Sequence, residues 1–145
     1  MTATIYTDGS CSSTQGGWGV IIYYGDKKNA FCGYTRDTTN QRMEMISCIY
    51  ALQFMDILYP TVTDIVIHSD SAYVVNCFLE EWFLKWQANG WKTANKKSDV
   101  KNRDLWERLI KLVDKKNVRF VKVKGHSNNR FNNLVDELAN FGRLL

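Results

Sequence analysis

The sequence predicts an α/β protein, in which a parallel or mixed sheet is covered by helices. Three strand-like segments open the chain, and a later apolar strand at residues 64–70 is followed directly by a helical segment. Strands connected through a helix favour a parallel or mixed sheet with helices on its faces. The chain has 145 residues, of which 45% are hydrophobic, so it is long enough to bury one core. We therefore expect one domain over residues 1–145.

The first three elements are predicted to be strands. Residues 3–8 are mostly β-branched or aromatic, and a Gly-Ser-Cys-Ser-Ser segment at 9–13 indicates a loop. Residues 18–24 and 30–36 flank a polar turn at 25–29, which is the pattern of an antiparallel hairpin. The chain therefore begins with three strands, of which the last two pair.

A long and largely buried helix is predicted at residues 41–58. Thr38, Thr39 and Asn40 are residue types that cap helices, and the segment after them is apolar on most faces. The later elements are a strand at 64–70, a helix from 72 to about 86 that Ser71 can cap, a helix at 104–113, a strand at 118–124, a loop at 125–130 and a helix at 133–144. The order is βββαβααβα, with the division of helices around residues 82–89 left open.

The sequence contains neither a membrane span nor a cysteine pair. No run approaches the ~20 apolar residues that cross a bilayer, and the first residues lack the basic and apolar regions of a secretory leader. The four cysteines form no CxxC pair, which argues against a zinc site or a redox dithiol. We expect a soluble cytoplasmic protein with reduced thiols.

Positive charge is concentrated in residues 85–103. Six basic side chains stand there against the single acidic Asp99, and this local balance of +5 exceeds the +4 of the whole chain. Such a stretch indicates a surface for a polyanion.

Four carboxylates are predicted to meet at one edge of the sheet. Asp8 and Asp70 each close a strand that should be buried, while Glu44 and Asp136 are expected in the first turns of two helices. Ligands of open α/β sheets bind outside the carboxyl ends of the strands. Because neighbouring carboxylates repel one another, a divalent cation is the economical way to hold them together. Ligands that are all oxygen suit Mg²⁺ or Mn²⁺ and disfavour zinc.

Each of these side chains also has a simpler interpretation. Asp8 or Asp70 alone could cap a helix, and Glu44 or Asp136 alone could interact with a helix dipole. His126 could be merely solvated. His68 is more simply explained as a structural histidine whose hydrogen bonds are satisfied, and Trp106 by packing in the core.

Several motifs together resemble type 1 ribonuclease H. They are Tyr6-Thr7-Asp8-Gly9-Ser10-Cys11, Thr39-Asn40-Gln41-Arg42-Met43-Glu44, His68-Ser69-Asp70-Ser71, Lys124-Gly125-His126-Ser127 with Asp136 ten residues on, and the basic segments 90–97 and 100–106. The resemblance runs from Ile5 to about Ala139, and the basic segments look like that family's protruding handle, which we place at about 82–103.

The resemblance implies a mixed five-stranded sheet, three antiparallel strands followed by parallel ones, with helices on both faces. It also implies a metal-dependent endonuclease that hydrolyses the RNA strand of RNA–DNA hybrids without sequence preference and leaves 5'-phosphomonoesters. Asp8, Glu44, Asp70 and Asp136 would hold two Mg²⁺ ions, for which Mn²⁺ could substitute, and His126 would assist proton transfer or product release.

The resemblance also implies two sets of substrate contacts. The RNA strand would meet Gly9, Ser10, Cys11, Asn40 and Gln41. The DNA strand would meet Arg36, Thr39, Trp82, Lys85, Trp86, Trp91, Lys92, Lys96 and Lys97. Interleaved tryptophans and lysines suit a grip on sugar and phosphate, although packing between helices is the simpler explanation of Trp86.

Four features depart from the family pattern. The loop at 11–17 is short, Asp37 looks like an insertion, Ala72 replaces a frequent glutamine, and Lys85 replaces a frequent asparagine. We expect altered affinity with activity retained, in a monomer that stands free of other domains and membranes. A catalytically silent hybrid-binding module, and another nuclease or strand-transfer enzyme on the same fold, are the alternatives.

Overall fold

The computed structural model describes residues 1–95, 97–124 and 129–145. Its strands are β1 (Ala3–Ser12), β2 (Gln15–Tyr24), β3 (Lys27–Thr35), β4 (Asp64–Ser69) and β5 (Asn117–Lys122). Its helices are α1 (Asn40–Leu58), α2 (Ala72–Leu79), α3 (Trp82–Ala88), α4 (Arg103–Asp114) and α5 (Arg130–Arg143). The strands form one sheet in the order β3-β2-β1-β4-β5, which confirms the predicted mixed five-stranded architecture.

The central strand β1 joins the antiparallel and parallel halves of the sheet. It pairs antiparallel with β2, where Asp8 lies opposite Gly19, and parallel with β4, where Tyr6 lies opposite His68. The β4 strand in turn pairs parallel with β5. Because β1 and β4 run in the same direction, the residues that end them emerge at the same edge.

Helices cover both faces of the sheet, as predicted. The alternation of side chains along β1 places Ile5 in the large core with α1, α2 and α4, and places Tyr6 in a smaller cluster with Val135 of α5. Ile5 is fully buried, which contributes about 1.5–3 kcal/mol relative to an exposed side chain. The predicted core position of Trp106 is confirmed, since its side chain is completely buried.

The first hairpin is longer than the sequence pattern predicts. A loop is expected at residues 9–13, but β1 continues to Ser12 and the turn falls at Ser13, where φ is 59°. The partner strand also begins earlier, at Gln15 rather than at 18, and besides the predicted Gly19 it includes Gly17, which the apolar pattern does not mark as part of a strand. A Cβ on Gly19 would lie 2.8 Å from the backbone oxygen of Val135, so these glycines allow α5 to approach the sheet.

Two helix boundaries also differ from the prediction. The helix expected from 72 to about 86 ends at Leu79, and Glu81 adopts a left-handed conformation before α3 begins. The last helix begins at Arg130 rather than at 133, because the side chain of Asn129 caps it by accepting a 3.0 Å hydrogen bond from the backbone of Asn132. Asp136 therefore lies in the second turn of α5 and not in the first.

Two further sequence predictions concern the thiols and the absence of a membrane span. All four cysteines are free thiols, in agreement with the expected absence of disulfides. Among the helices of the described ranges, none is both long and apolar enough to cross a bilayer.

Candidate active site

Three predicted carboxylates meet where β4 ends beside β1. Asp8, Glu44 and Asp70 each offer an oxygen that lies within 4.8 Å of the other two. Asp8 lies within β1, two residues past the last pair of that strand with β4, and β1 continues to Ser12, so the prediction that Asp8 closes its strand is wrong. Asp70 directly follows β4, and Glu44 projects from the start of α1, which packs on β1. Asp136 of α5 lines the same cavity but is not one of the three carboxylates that lie within 4.8 Å of one another. The structure therefore brings all four predicted carboxylates to one cavity, which we call the carboxylate cavity.

Glu44 is held by the backbone of Gly9. The N–H of Gly9 donates a 2.7 Å hydrogen bond to Oε1 of Glu44. The other oxygen, Oε2, is buried and has no hydrogen-bond partner within the described residues. A Cβ on Gly9 would lie 2.5 Å from the backbone nitrogen of Glu44, so only glycine permits this close approach of β1 to α1.

The carboxylates destabilise one another's charged forms. Asp8 is only 2% exposed, and burial, followed by repulsion from Glu44 and Asp70, raises its pKa to about 11. Burial and then the charge of Asp70 raise the pKa of Glu44 to about 8. Both side chains therefore favour the protonated form near neutral pH unless a cation compensates their charge.

The donor set fits a divalent metal ion. The oxygens of Asp8, Glu44 and Asp70 are close enough to share an ion, and the unpartnered Oε2 of Glu44 is a buried acceptor available to it. Carboxylate ligands alone suit a hard cation such as Mg²⁺ or Mn²⁺. Asp136 could complete a second position in the same cavity.

Helix capping does not explain these carboxylates. The N-cap of α2 is Ser71, whose hydroxyl accepts a 3.2 Å hydrogen bond from Val74, and the N-cap of α1 is Thr39. The first turns of α1 and α5 contain no acidic residue. The capping interpretation of Asp8 and Asp70 is therefore wrong, and so is the dipole interpretation of Glu44 and Asp136.

The expected RNA contacts lie in or beside the carboxylate cavity. The cavity has a volume of about 370 Å³ and is also lined by Gly9, Asn40, Gln41, Ser71, Ala72 and Tyr73. Ser10 and Cys11 follow on β1, but their side chains bond within the protein. The hydroxyl of Ser10 donates to Oδ1 of Asn140 at 2.6 Å, and the thiol of Cys11 lies 3.7 Å from the carbonyl of Thr38. These two residues therefore offer mainly backbone groups.

Two expected DNA contacts lie just before the start of α1. Arg36 and Thr39 are both exposed, and Asp37 between them has a φ of 55°. The hydroxyl of Thr39 accepts a 3.2 Å hydrogen bond from the backbone of Arg42, and the guanidinium of Arg36 lies 5.8 Å from the ring centroid of Tyr34. The inserted Asp37 thus occupies a left-handed turn that separates the two side chains.

The handle forms a groove with alternating aromatic and basic walls. The groove has a volume of about 570 Å³ and is lined by Trp82, Lys85, Trp86, Asn89, Lys92 and Ala94. Lys97 is exposed, whereas Lys96 lies outside the described residues. The sequence pattern marks Asn89 only as a helix breaker, but its side chain bonds both backbone groups of Lys92 and so shapes the groove.

Trp91 differs from the other predicted handle contacts. Its side chain is only 8% exposed, and it packs 5.9 Å from the ring of Trp86. The guanidinium of Arg103 lies 5.2 Å from its centroid. Trp91 therefore has little surface to present to a duplex and supports the handle from within. Its positive φ of 65° turns it toward the core, which residue spacing does not predict.

The two histidines lie in different surroundings. His126 and its loop lie outside the described residues, so its predicted role remains a prediction. The ring of His68 stacks on Tyr6 at 4.5 Å, and burial lowers its pKa. His68 does not line the carboxylate cavity, in agreement with a structural role, but its Nδ1 is buried with no hydrogen-bond partner among the described residues, so the expectation that its hydrogen bonds are satisfied is wrong for that atom.

Fold and site together define a class of α/β enzymes that gather carboxylates at the ends of adjacent strands to hold metal ions. Comparison with known proteins narrows this class. The family model described as RNase H matches residues 1–143. Curated ribonuclease H of Acetivibrio thermocellus is 48% identical over 138 residues, covering 94% of this chain and 90% of the relative. That of Chlorobaculum parvum is 47% identical over 140 residues, covering 95% and 92%. The chain therefore belongs to the ribonuclease H family, and it is an enzyme.

Solved structures agree with this assignment. LC9-RNase H1, described as a type 1 RNase H with the type 2 active-site motif, superposes with a TM-score of 0.84 at 26% identity, covering 98% of this chain and 72% of that one. LC11-RNase H1, solved in complex with an RNA/DNA hybrid, has a TM-score of 0.73 at 20% identity, covering 96% and 94%. The predicted resemblance to type 1 ribonuclease H is thus confirmed.

Proposed function

We propose that this enzyme cuts the RNA strand of RNA–DNA hybrids internally and without sequence preference, using two Mg²⁺ ions and leaving 5'-phosphomonoesters. The observation that carries the proposal is the convergence of Asp8, Glu44 and Asp70 within 4.8 Å, where Asp8 and Glu44 stay ionised near neutral pH only if a cation compensates their charge. The hybrid bound by LC11-RNase H1, a protein of the same fold, supports the choice of substrate.

The four carboxylates would share the metal ions unequally. Bound ions would supply an activated water and neutralise charge at the leaving oxygen of the phosphodiester. Asp8, on the central strand, would contribute to both metal positions, with Glu44 and Asp70 at one and Asp136 at the other; that all four line one cavity supports this assignment. The bond from Gly9 fixes Oε1 of Glu44 and leaves Oε2 for the cation. His126 is our candidate for proton transfer.

Selection of RNA would take place at the mouth of the carboxylate cavity. Proteins distinguish RNA from DNA by the 2'-hydroxyl, and they do so across a wide, shallow minor groove. Asn40 and Gln41 present amide groups beside Glu44, and Gly9 has no side chain to obstruct the strand. Such contacts recognise sugar rather than bases, which explains cleavage without sequence preference.

The DNA strand would be held away from the carboxylates. Exposed Arg36 and Thr39 offer a charge and a hydroxyl to its phosphates near the start of α1. Trp82, Lys85 and Trp86 continue this surface into the handle groove. Contacts of this kind position a duplex and carry no sequence information.

We further propose that residues 1–145 act as one monomeric domain in the cytoplasm. Both hydrophobic clusters lie on the same five-stranded sheet, which supports a single folding unit. The four free thiols fit a reducing compartment.

Cleavage assays with three duplexes test the proposed function. Labelled RNA–DNA hybrid, double-stranded RNA and double-stranded DNA are incubated with the protein in Mg²⁺ or in excess chelator. We expect internal cuts in the RNA of the hybrid that require Mg²⁺. Cutting that survives the chelator, or that prefers plain DNA, would refute the proposal, and binding of the hybrid without cleavage would indicate a silent binding module instead.

A further inference from the structure

Asn102 lies where the handle rejoins the body of the protein. It precedes α4 with a φ of 63°, and its carbonyl accepts the first backbone hydrogen bonds of that helix, 3.0 Å from Leu105 and 2.9 Å from Trp106. An asparagine at this N-cap position usually caps the helix with its side chain. The side chain of Asn102 makes no such bond, so it is available for other contacts.

The side-chain oxygen and nitrogen of Asn102 each form a hydrogen bond with a residue near the carboxylate site. Its Oδ1 accepts a 3.3 Å hydrogen bond from Nη1 of Arg42, two residues before Glu44. Its Nδ2 donates a 3.2 Å hydrogen bond to the hydroxyl of Tyr73, which lines the carboxylate cavity three residues after Asp70. One side chain therefore connects the starts of α1 and α2.

Arg42 is itself held in place. Its two terminal nitrogens donate to the two carboxylate oxygens of Asp104 at 3.0 and 2.8 Å. A bidentate pair of this kind fixes the plane of the guanidinium as well as its position. Arg42 thus reaches Asn102 from a defined orientation, and α1 is tied to the start of α4.

The same hydroxyl of Tyr73 also connects to the handle. It accepts a 3.1 Å hydrogen bond from Nε1 of Trp106, which is completely buried. The ring of Trp106 packs 5.5 Å from Trp86, a wall of the handle groove. A continuous series of contacts therefore runs from the handle groove through Trp106 and Tyr73 to the carboxylate cavity.

We propose that Asn102 is a positioning residue, which through Tyr73 and Arg42 fixes the handle relative to the carboxylates. Its bonds would determine which phosphodiester of a gripped hybrid reaches the metal ions. The inference deepens the proposed function and rests on it, because it assumes that the handle holds the hybrid that is cut.

Asn102→Gly tests this role with little change to the backbone. Glycine adopts a positive φ readily, so the variant removes both hydrogen bonds of the Asn102 side chain and keeps the turn. Glu81→Gly is the matched control, because Glu81 has a φ of 56° at the N-cap of α3 and makes no side-chain capping bond. Tyr73→Phe is the second variant, which removes the hydroxyl and keeps the ring.

The measurement compares a hybrid long enough to reach the handle with one that covers only the carboxylate cavity. Removing one or two hydrogen bonds should change a rate about tenfold. For Asn102→Gly we therefore expect the ratio of kcat on the long hybrid to kcat on the short hybrid to fall about tenfold. KM should change far less. The cuts along the long hybrid should also spread to neighbouring positions. Glu81→Gly should keep the ratio and the cutting pattern of the unmodified enzyme.

Combining the variants separates positioning from simple destabilisation. If the bonds act as one unit, Tyr73→Phe should reproduce the broadened cutting pattern, and the double variant should be no worse than the more impaired single variant. Equal losses on both hybrids, or an unchanged cutting pattern in Asn102→Gly, would overturn the inference. Failure of the unmodified enzyme to cut either hybrid would instead refute the proposed function.

Discussion

Gly9 and Glu44 are joined by a 2.7 Å hydrogen bond from the backbone N–H of the glycine to Oε1 of the carboxylate. The bond ties the central strand to the start of α1 and occupies one of the two Glu44 oxygens. Oε2 has no hydrogen-bond partner in the part of the chain that the structure describes. The same close approach that orients Glu44 thus leaves it one buried acceptor for a cation.

Replacement of Gly9 by alanine should disrupt this arrangement. The added Cβ would lie 2.5 Å from backbone atoms of Met43 and Glu44, so α1 must move. We expect a loss of about 1–3 kcal/mol in the free energy of unfolding, and a smaller rise in melting temperature on addition of Mg²⁺. Gly90→Ala is the control, because alanine is strained at its φ of 76° and should also cost stability, while Gly90 does not line the carboxylate cavity, so its response to Mg²⁺ should persist. A normal Mg²⁺ response in Gly9→Ala would contradict this role of Gly9.

Asp8→Asn should abolish cleavage and stabilise the metal-free protein. In the folded, metal-free protein the buried Asp8 must either be repelled as a carboxylate by Glu44 and Asp70 or take up a proton, and the neutral asparagine avoids both costs. We expect about 1–3 kcal/mol of added stability in chelator, measured by denaturant unfolding, with hybrid binding retained at low salt. Asp26→Asn, in the exposed β2–β3 turn, is the control and should change stability little. A destabilised Asp8→Asn protein in chelator would argue against mutual repulsion.

The metal-free protein should lose stability as pH rises. Glu44 has a pKa of about 8 in the folded protein against 4.5 for an unperturbed side chain, so folding takes up a proton between these values. Stability then falls by up to roughly 1.4 kcal/mol per pH unit for each proton taken up, and the stabilisation by Mg²⁺ should grow over the same range.

Unfolding in denaturant at a series of pH values, with chelator or Mg²⁺, measures this dependence. The double variant with Asp8→Asn and Glu44→Gln should show a flatter profile, because neither position can then ionise. The prediction fails if the unmodified protein in chelator is no more sensitive to pH over this range than the double variant.

Neutralising the handle should weaken binding and reduce its dependence on salt. Removal of one interaction with a phosphate lowers the slope of log K against log salt by about 0.7–0.9. We expect a decrease of this size for Lys85→Ala in the groove, and about twice this decrease for Lys96→Ala with Lys97→Ala, measured by fluorescence anisotropy with labelled hybrid. Lys27→Ala with Lys28→Ala is the control. These lysines lie at one end of the β2–β3 hairpin, whereas Thr35, which precedes the expected DNA contact Arg36, lies at the other end. If the handle variants bind with unchanged affinity and slope, the handle is not a contact surface.

The meeting of the carboxylates is predictable because strand direction determines where strand ends lie. Asp8 and Asp70 each close an apolar run, and a parallel pair must bring them to the same edge. Other features depend on contacts between distant segments. Gly17 lies in β2 where the backbone of α5 passes so close that a Cβ would lie 2.0 Å from the carbonyl oxygen of Ala139, and nothing in its immediate neighbours indicates this.

The handle shows the same limit of local sequence patterns. Trp82 and Trp91 are alike as sequence signals, yet Trp82 lines the groove and Trp91 is buried beneath it. The left-handed backbone at Glu81 and Asn102 decides how the segment between them turns, and neither residue is a glycine that would have marked a turn. The bond from Asn102 to Tyr73 follows from that geometry and has no sequence signature of its own.

Anomalous diffraction from crystals soaked in Mn²⁺ tests the predicted metal site most directly. We expect a strong anomalous peak within coordinating distance of Asp8, Glu44 and Asp70, and its loss in crystals of Asp8→Asn. Well-occupied Mn²⁺ elsewhere on the protein, with no peak among these three carboxylates, would contradict the assignment of the carboxylate cavity as the metal centre.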